Sequence, residues 1–248
     1  MSPSASLASI RRLEELAFRG WPALQTRDVA GWRLRFAGGY TKRANSINAL
    51  APDARVDDRT VAALEFSYAA PVWRLTPLAP PAIRPLLSER GYRTIERSHV
   101  QLCPLDQTFA ADPEVAILSR PSPAWIEAFE TWSPVRPEHR DVMRRMLAAI
   151  AAPAGFAFVE QAGQPLAMAI GAVEGDHMGL FDVLVMPHAR RRGLARRVTE
   201  SLYAWARGRG ARFAYLQVVA TNAAALPLYE AQGFRTVYSY EYMAPATP

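Results

Sequence analysis

The run Val183-Leu184-Val185-Met186-Pro187-His188-Ala189-Arg190-Arg191-Arg192-Gly193-Leu194-Ala195 brings together the residue types that hold a phosphate group. An apolar strand ends at Pro187, a short polar loop follows, and a glycine stands where the next helix begins. Small residues at Gly193 and Ala195 let a ligand come close to the backbone. The first-turn N–H groups of a helix have no internal partner and carry roughly half a positive charge, so they attract anions. Arg190, Arg191, Arg192, Arg196 and Arg197 lie in or before the first turns of this helix, and no acid follows until Glu200. Cations at that end oppose the helix dipole, each at a cost of ~0.3–1 kcal/mol. A helix start left so positive fits an incoming anion. A solvated arginine-rich face would give the same pattern, and the whole chain favours arginine, with Lys42 its only lysine.

The charge balance narrows the ligand. The 248 residues carry a net charge of +6, yet Met186 to Arg212 alone holds eight arginines against Glu200, so the remainder is close to neutral. One basic segment in a near-neutral chain points to a single anionic ligand rather than to a polyanion. The cluster lacks interleaved aromatics and any known reader motif, which argues against nucleic acid. No stretch approaches the ~18 apolar residues that span a bilayer, and the first residues lack a signal-peptide pattern, so a soluble, cytoplasmic protein without membrane attachment is expected. Cys103 is the single cysteine, which excludes an internal disulfide and a cysteine-based zinc cluster. His99, His139, His177 and His188 show no ligand spacing, so no metal is expected. Nucleotide-binding glycine motifs, a zinc-protease motif and a nucleophile elbow are all missing from the sequence.

The elements that must position this segment follow from periodicity. Helices are expected over 6–19, 57–68, 80–90, 123–131, 138–150, 193–208 and 222–232. Strands are expected over 31–37, 44–50, 72–76, 92–102, 114–118, 155–161, 165–174, 178–186, 212–219 and 234–243. This is an α/β, or α+β layered, chain. The stretch 104–113 is polar and bounded by prolines, which suggests a linker over 106–113 between domains at 1–105 and 114–248. Gly91-Tyr92-Arg93-Thr94 resembles Gly233-Phe234-Arg235-Thr236, each after a strand and a short helix, so the two halves read as related copies.

Arg190-x-x-Gly193-x-Ala195, preceded by Val185-x-Pro187, resembles the pyrophosphate motif of the GNAT superfamily, the acyl-CoA-dependent N-acyltransferases. Leu216-Gln217-Val218-Val219 followed by Asn222-x-x-Ala225, and Leu228-Tyr229-Glu230-Ala231-Gln232-Gly233-Phe234, resemble two further blocks of that family in the right order. The resemblance covers Glu114 to Met243 and implies a mixed, mostly antiparallel GNAT-type sheet flanked by helices. It implies acetyl-CoA as cosubstrate, with Arg190 opening the loop and the backbone amides of Arg191, Arg192, Gly193, Leu194 and Ala195 holding the pyrophosphate. Val183 and Val185 match the strand that pairs with the pantetheine arm, and Asn222 matches a pantetheine contact. Asn222 after Thr221 equally suits a helix N-cap. Tyr229 matches the tyrosine that protonates the leaving thiolate, and a phenol with a pKa near ~10 is protonated at neutral pH as that role requires. It would also serve as a packing aromatic.

The general base is carried by no motif. Asp182 is the leading candidate: regular alternation puts it on one face with Leu180 and Leu184, where partial desolvation would raise its pKa. Glu160, Glu174 and His177 are less favoured, Gly179 stands where some family members place a glutamate, and a water-relayed base or none stays open. In the first half the matching loop, Pro52 to Asp58, lacks glycine and starts its helix with Asp57-Asp58, while Leu87 occupies the position of Tyr229. A degenerate half with no CoA site is expected, one that shapes the acceptor pocket. Tyr40, Lys42, Arg43 and Asn45 form either a surface turn or a reader of a negatively charged acceptor. The reaction expected is direct attack of a primary amine, small molecule or peptide, on acetyl-CoA in a ternary complex. A non-catalytic acyl-CoA-binding module is the alternative, and the oligomeric state is left open.

Overall fold

In the computed structural model, which describes residues 5–133 and 135–246, helices cover both faces of one continuous sheet. The first half contains α1 (Leu7–Gly20), β1 (Gln25–Val29), β2 (Trp32–Phe36), β3 (Ile47–Ala49), α2 (Asp58–Glu65), β4 (Trp73–Leu75), α3 (Ile83–Glu89) and β5 (Tyr92–Pro104). The second contains β6 (Val115–Leu118), α4 (Pro123–Trp132), α5 (Arg140–Ala148), β7 (Ala154–Gln161), β8 (Gln164–Glu174), β9 (His177–Val185), α6 (Leu194–Arg207), β10 (Phe213–Val219), α7 (Leu226–Ala231) and β11 (Arg235–Pro245). The elements read from the sequence are present. The addition is β1, whose five residues, Gln-Thr-Arg-Asp-Val, are all exposed on the sheet edge. An exposed polar edge strand has no buried face, so it leaves no alternation to read.

The strand order is β1-β2-β3-β4-β11-β5-β10-β9-β8-β7-β6. Pairing is antiparallel except for β3 with β4 and β9 with β10, as expected for a mixed, mostly antiparallel sheet. The closing strands of the two halves are exchanged. β11 lies against β4, β5 lies against β10, and β5 and β11 pair with each other at the centre. Residues 106–113 form neither helix nor strand, but they are anchored: Phe109 packs edge-on to Tyr203, and Asp112 pairs with Arg197.

α1 also crosses between the halves. Its Ile10, Leu13, Leu16 and Ala17 repeat at helical spacing and form one buried stripe, and Ser6 caps its start by accepting from Ser9 N–H. That stripe joins a core with Trp125, Phe129, Phe156, Met168 and Phe181 from the second half. Burying each such side chain is worth about 1.5–3 kcal/mol. Gly20, at the end of α1, is needed for the close approach, since a Cβ there would lie 2.6 Å from the Phe181 ring. A second core lies beneath α6, and a third is built on Trp32 and Trp73, packed edge-to-face in the first half.

Candidate active site

The sheet opens where β9 and β10 part. Their parallel pairing runs from Phe213 opposite His177 to Leu216 opposite Leu180 and stops there. Beyond it, Val218 and Val219 pair only with β5, and Leu184 and Val185 pair only with β8. The cause is a bulge in β9: between Phe181 and Leu184 the strand carries one more residue than β8 does opposite it. Asp182 occupies the bulge with φ +47°, a left-handed conformation that aspartate tolerates better than most side chains. The bulge corrects the expected alternation. Leu180 faces the core under α6, whereas Leu184 packs with Phe181 on the opposite core, so Asp182 does not share one face with both. Its Oδ2 is buried and has no hydrogen-bond partner among the described residues. Burial raises the Asp182 pKa above the usual carboxylate range, while the Arg43 guanidinium pulls it back down.

The loop after β9 ends at Gly193, whose φ of +74° turns the chain into α6. Arg191 is also left-handed at φ +62°. No side chain caps α6, and the N–H groups of Arg191 through Arg196 find no acceptor among the described residues. Arg190, Arg191, Arg192 and Gly193 are exposed, Leu194 is buried, and Ala195 is half-buried. The five arginines divide. Arg196 pairs with Glu200 at 2.7 Å, and Arg197 pairs with Asp112 at 2.5 Å and with Glu114. Arg190, Arg191 and Arg192 form no ion pair among the described residues, and Arg190 Nε donates to the Val185 carbonyl at 3.4 Å. The positive charge left for a ligand is therefore carried by three arginines together with the helix start. The corresponding helix of the first half is built the opposite way. Asp57 accepts from Thr60 N–H at 2.7 Å, and that bond, with Arg55 alongside, holds its carboxyl at about 2.

Tyr229 comes from α7 into the core that also packs Val183, Val185 and Leu194. Its hydroxyl makes no hydrogen bond among the described residues. Burial, followed by the nearby Asp182 charge, pushes the phenol up to about 12. Asp182 and Tyr229 thus belong to one opening, which the sequence alone could not establish. Asn222 is exposed in the turn before α7, whose N-cap is Ala225 rather than Asn222; its Oδ1 accepts from Ala225 N–H at 3.1 Å, and its Nδ2 makes no hydrogen bond among the described residues. The strand exchange carries Cys103 into the layer beside β10, where it donates to the Gln232 carbonyl. Burial pushes its thiol up to about 11, so it is a poor nucleophile. Gly179 has no space for a glutamate, because a Cβ would lie 2.6 Å from both the Phe181 ring and the Tyr215 hydroxyl.

The first half reaches this opening through Trp21. Its ring stacks on Phe181 with centroids 6.1 Å apart and lies 6.5 Å from Tyr40, and its N–H donates to Thr41 Oγ1. This brings Tyr40 and Arg43 to the bulge, where Tyr40 is buried. Asn45 instead ties the turn together, accepting from Ala37 and Gly39 N–H and donating to the Tyr40 and Thr41 carbonyls. Sequence reasoning did not find the buried Glu14–Arg74 pair. Tyr238 also donates to Glu14, and Arg74 stacks 3.8 Å over Tyr240. The available signal was an arginine inside the short apolar strand 72–76 and a glutamate within the apolar stripe of the first helix. A separate cavity of about 920 Å³, lined by Ile117, Leu147, Phe156 and Trp205, contains none of these groups.

This geometry coincides with a family. The model of the family described as "Probable histone acetyltransferase Rv0428c C-terminal" matches residues 7–243. The chain belongs to that family. A Bacillus subtilis (strain 168) protein described as "Uncharacterized N-acetyltransferase YobR" is 28% identical over 246 residues, covering 94% of this chain and 97% of its own. In fold, the chain is similar to a GCN5-related N-acetyltransferase from Kribbella flavida, with a TM-score of 0.68, 16% identity and 96% of both chains covered. It is also similar to a tandem GNAT protein from the clavulanic acid biosynthesis pathway, with a TM-score of 0.65, 12% identity, and 99% and 91% covered. The chain is an acetyltransferase. Among the described residues no group of three or more metal-ligating side chains occurs, and no helix is long and apolar enough to cross a membrane.

Proposed function

We propose that this acetyltransferase uses acetyl-CoA to acetylate a primary amine, small molecule or peptide, by direct attack in a ternary complex. The observation that carries the reading is the pairing of a buried, unpartnered Asp182 oxygen with an unpartnered Tyr229 hydroxyl at one opening of the sheet. In this reading the free N–H groups of Arg191 to Ala195, with Arg190 at the loop entrance, take the pyrophosphate. The unpaired edge of Val183 and Val185 takes the pantetheine amides, and the free Asn222 Nδ2 contacts the same arm. Asp182 accepts the proton that the amine loses as the C–N bond forms. Tyr229 donates its proton to the sulfur as the C–S bond breaks, and solvent restores both groups. The high thiol pKa of Cys103 supports direct attack over an acyl-cysteine route.

The first half, in this proposal, is a degenerate copy spanning 1–105, joined through 106–113 to the catalytic 114–248, and it contributes to the acceptor pocket but binds no CoA. The Asp57 cap and the fully buried Leu87, where the second half has Gly193 and Tyr229, support that assignment. The enzyme is proposed to act in the cytoplasm without metal, nucleic acid or membrane. Thermal unfolding with acetyl-CoA at a hundredfold excess over Kd tests the donor. About 2.7 kcal/mol of linkage predicts a rise in Tm of roughly 5–10 °C. No rise at saturating acetyl-CoA, together with no acetyl transfer to an amine panel, overturns the proposal.

A further inference from the structure

The turn Tyr40 to Asn45 contains a guanidinium with nothing to hold. Asn45 is spent on the turn's own backbone, Thr41 accepts from Trp21, and Lys42 pairs with Glu96 at 3.1 Å. The fully buried arginines, Arg35 and Arg74, have partners at their terminal nitrogens, although their Nε atoms, like that of the half-buried Arg43, have none among the described residues. Arg35 donates to the carbonyls of Arg43, Phe18 and Trp21, and Arg74 pairs with Glu14. Arg43 makes no side-chain hydrogen bond and no ion pair among the described residues, and its Nε is fully buried. A buried polar atom of a charged group is normally paired, because an unpaired one forfeits its hydration without return. Asp182 is the acid whose charge acts on Arg43, yet the two form no ion pair within 4.0 Å, and Asp182 Oδ2 is itself unpartnered. Trp21 packs on Phe181, next to Asp182, and on Tyr40 and Thr41 of the turn, so two opposite charges with unused hydrogen-bonding capacity are brought to the same side of the bulge.

We infer that the acceptor is an amine that also carries a carboxylate, with the carboxylate on the Arg43 guanidinium and the amine at Asp182. The planar guanidinium fork matches a carboxylate with two parallel hydrogen bonds, which a lysine cannot reproduce. An acceptor of this kind gives both groups a partner at once, and Tyr40, in the same turn as Arg43, is buried. The inference rests on the acetyl-transfer reading above and adds a substrate class to it. The bonds made and broken are those already given: neutral amine and acetyl thioester become amide and free thiol, with Asp182 taking one proton and Tyr229 supplying one.

The test is acetyl transfer by the full chain to matched triplets of an amino acid, its amide and its decarboxylated amine, over α-, β- and γ-amino acids. For one spacing, kcat/KM for the free carboxylate is expected to exceed that for the amide by about 30-fold or more. In Arg43→Gln this ratio falls to within about threefold, and Arg43→Lys restores only part of it, with the change mainly in KM. Acetyl-CoA affinity and Tm are measured on both variants. If Arg43→Gln does not fold, the wild-type ratios decide alone. Equal rates for all three members of every triplet, or peptide N-termini and peptide lysines outpacing every amino acid, overturn the inference and leave acetyl transfer standing. Absence of any acetyl-CoA binding or turnover instead overturns the underlying reading.

Discussion

At the residue scale the proposed chemistry depends on two groups whose pKa values are raised by burial. Tyr229, pushed up to about 12, stays a protonated phenol through the physiological range and so has a proton to give there. Tyr229→Phe is expected to lower kcat by about 10²-fold while acetyl-CoA Kd stays within about twofold, read by steady-state kinetics beside calorimetry. Asp182 works as a base only when ionised, and its raised pKa moves the acid side of the rate profile above that of an ordinary aspartate. With an acceptor amine of low pKa, kcat should therefore fall as pH drops through the Asp182 value. Asp182→Asn should remove that limb and cost about 10²-fold or more in kcat. A retained acid limb in Asp182→Asn would assign the base elsewhere.

At the element scale the contrast lies between two helix starts. α2 satisfies its own first turn with Asp57, whereas α6 begins at an uncapped left-handed glycine and exposes its amides. The arginines around α6 fall into two groups, those without an ion pair among the described residues and those paired with acids. Replacing Arg190, Arg191 and Arg192 together by glutamine is expected to raise CoA Kd by about tenfold or more, given that charge-assisted hydrogen bonds are worth about 1.5–3 kcal/mol each. Arg197→Gln removes the ties to Asp112 and Glu114, so its effect should be a modest fall in Tm with CoA Kd unchanged. Isothermal titration and thermal melts on the two variants distinguish these groups.

At the scale of the whole molecule, the exchange of β5 and β11 makes the halves interdependent. Without residues 1–105, β10 loses its antiparallel neighbour, β11 loses both of its own, and the core under α1 loses one wall. A fragment of 106–248 expressed alone is expected to be aggregated or unfolded by circular dichroism and gel filtration, and co-expression with 1–105 to recover soluble complex. Glu14 belongs to the same junction, since α1 brings it to Arg74 on β4 and Tyr238 on β11. Glu14→Ala leaves a buried guanidinium without its partner and should cost about 3–5 kcal/mol, read as a fall in Tm.

The element order, the glycine-ended loop before α6 and the opposite polarity of the two helix starts were legible in the amino-acid sequence. Each is written in short-range terms: apolar spacing, a glycine, and an acid or its absence within one turn. The same holds for Gly193 and Asp57, whose conformations follow from neighbours a few residues away. What the sequence left open depends on groups distant in the chain. The bulge that turns Asp182 into the sheet opening is a matter of register against β8, and simple alternation misread it. The neutralisation of Arg197 required Asp112 and Glu114, more than eighty residues earlier, and the β5–β11 exchange has no local signature at all. Arg43 read equally well as a surface turn or as an acceptor contact. Only the packing of Trp21 between Tyr40 and Phe181 brought its turn to the bulge at Asp182, because which charges lie near each other is settled by the tertiary contacts that desolvate them.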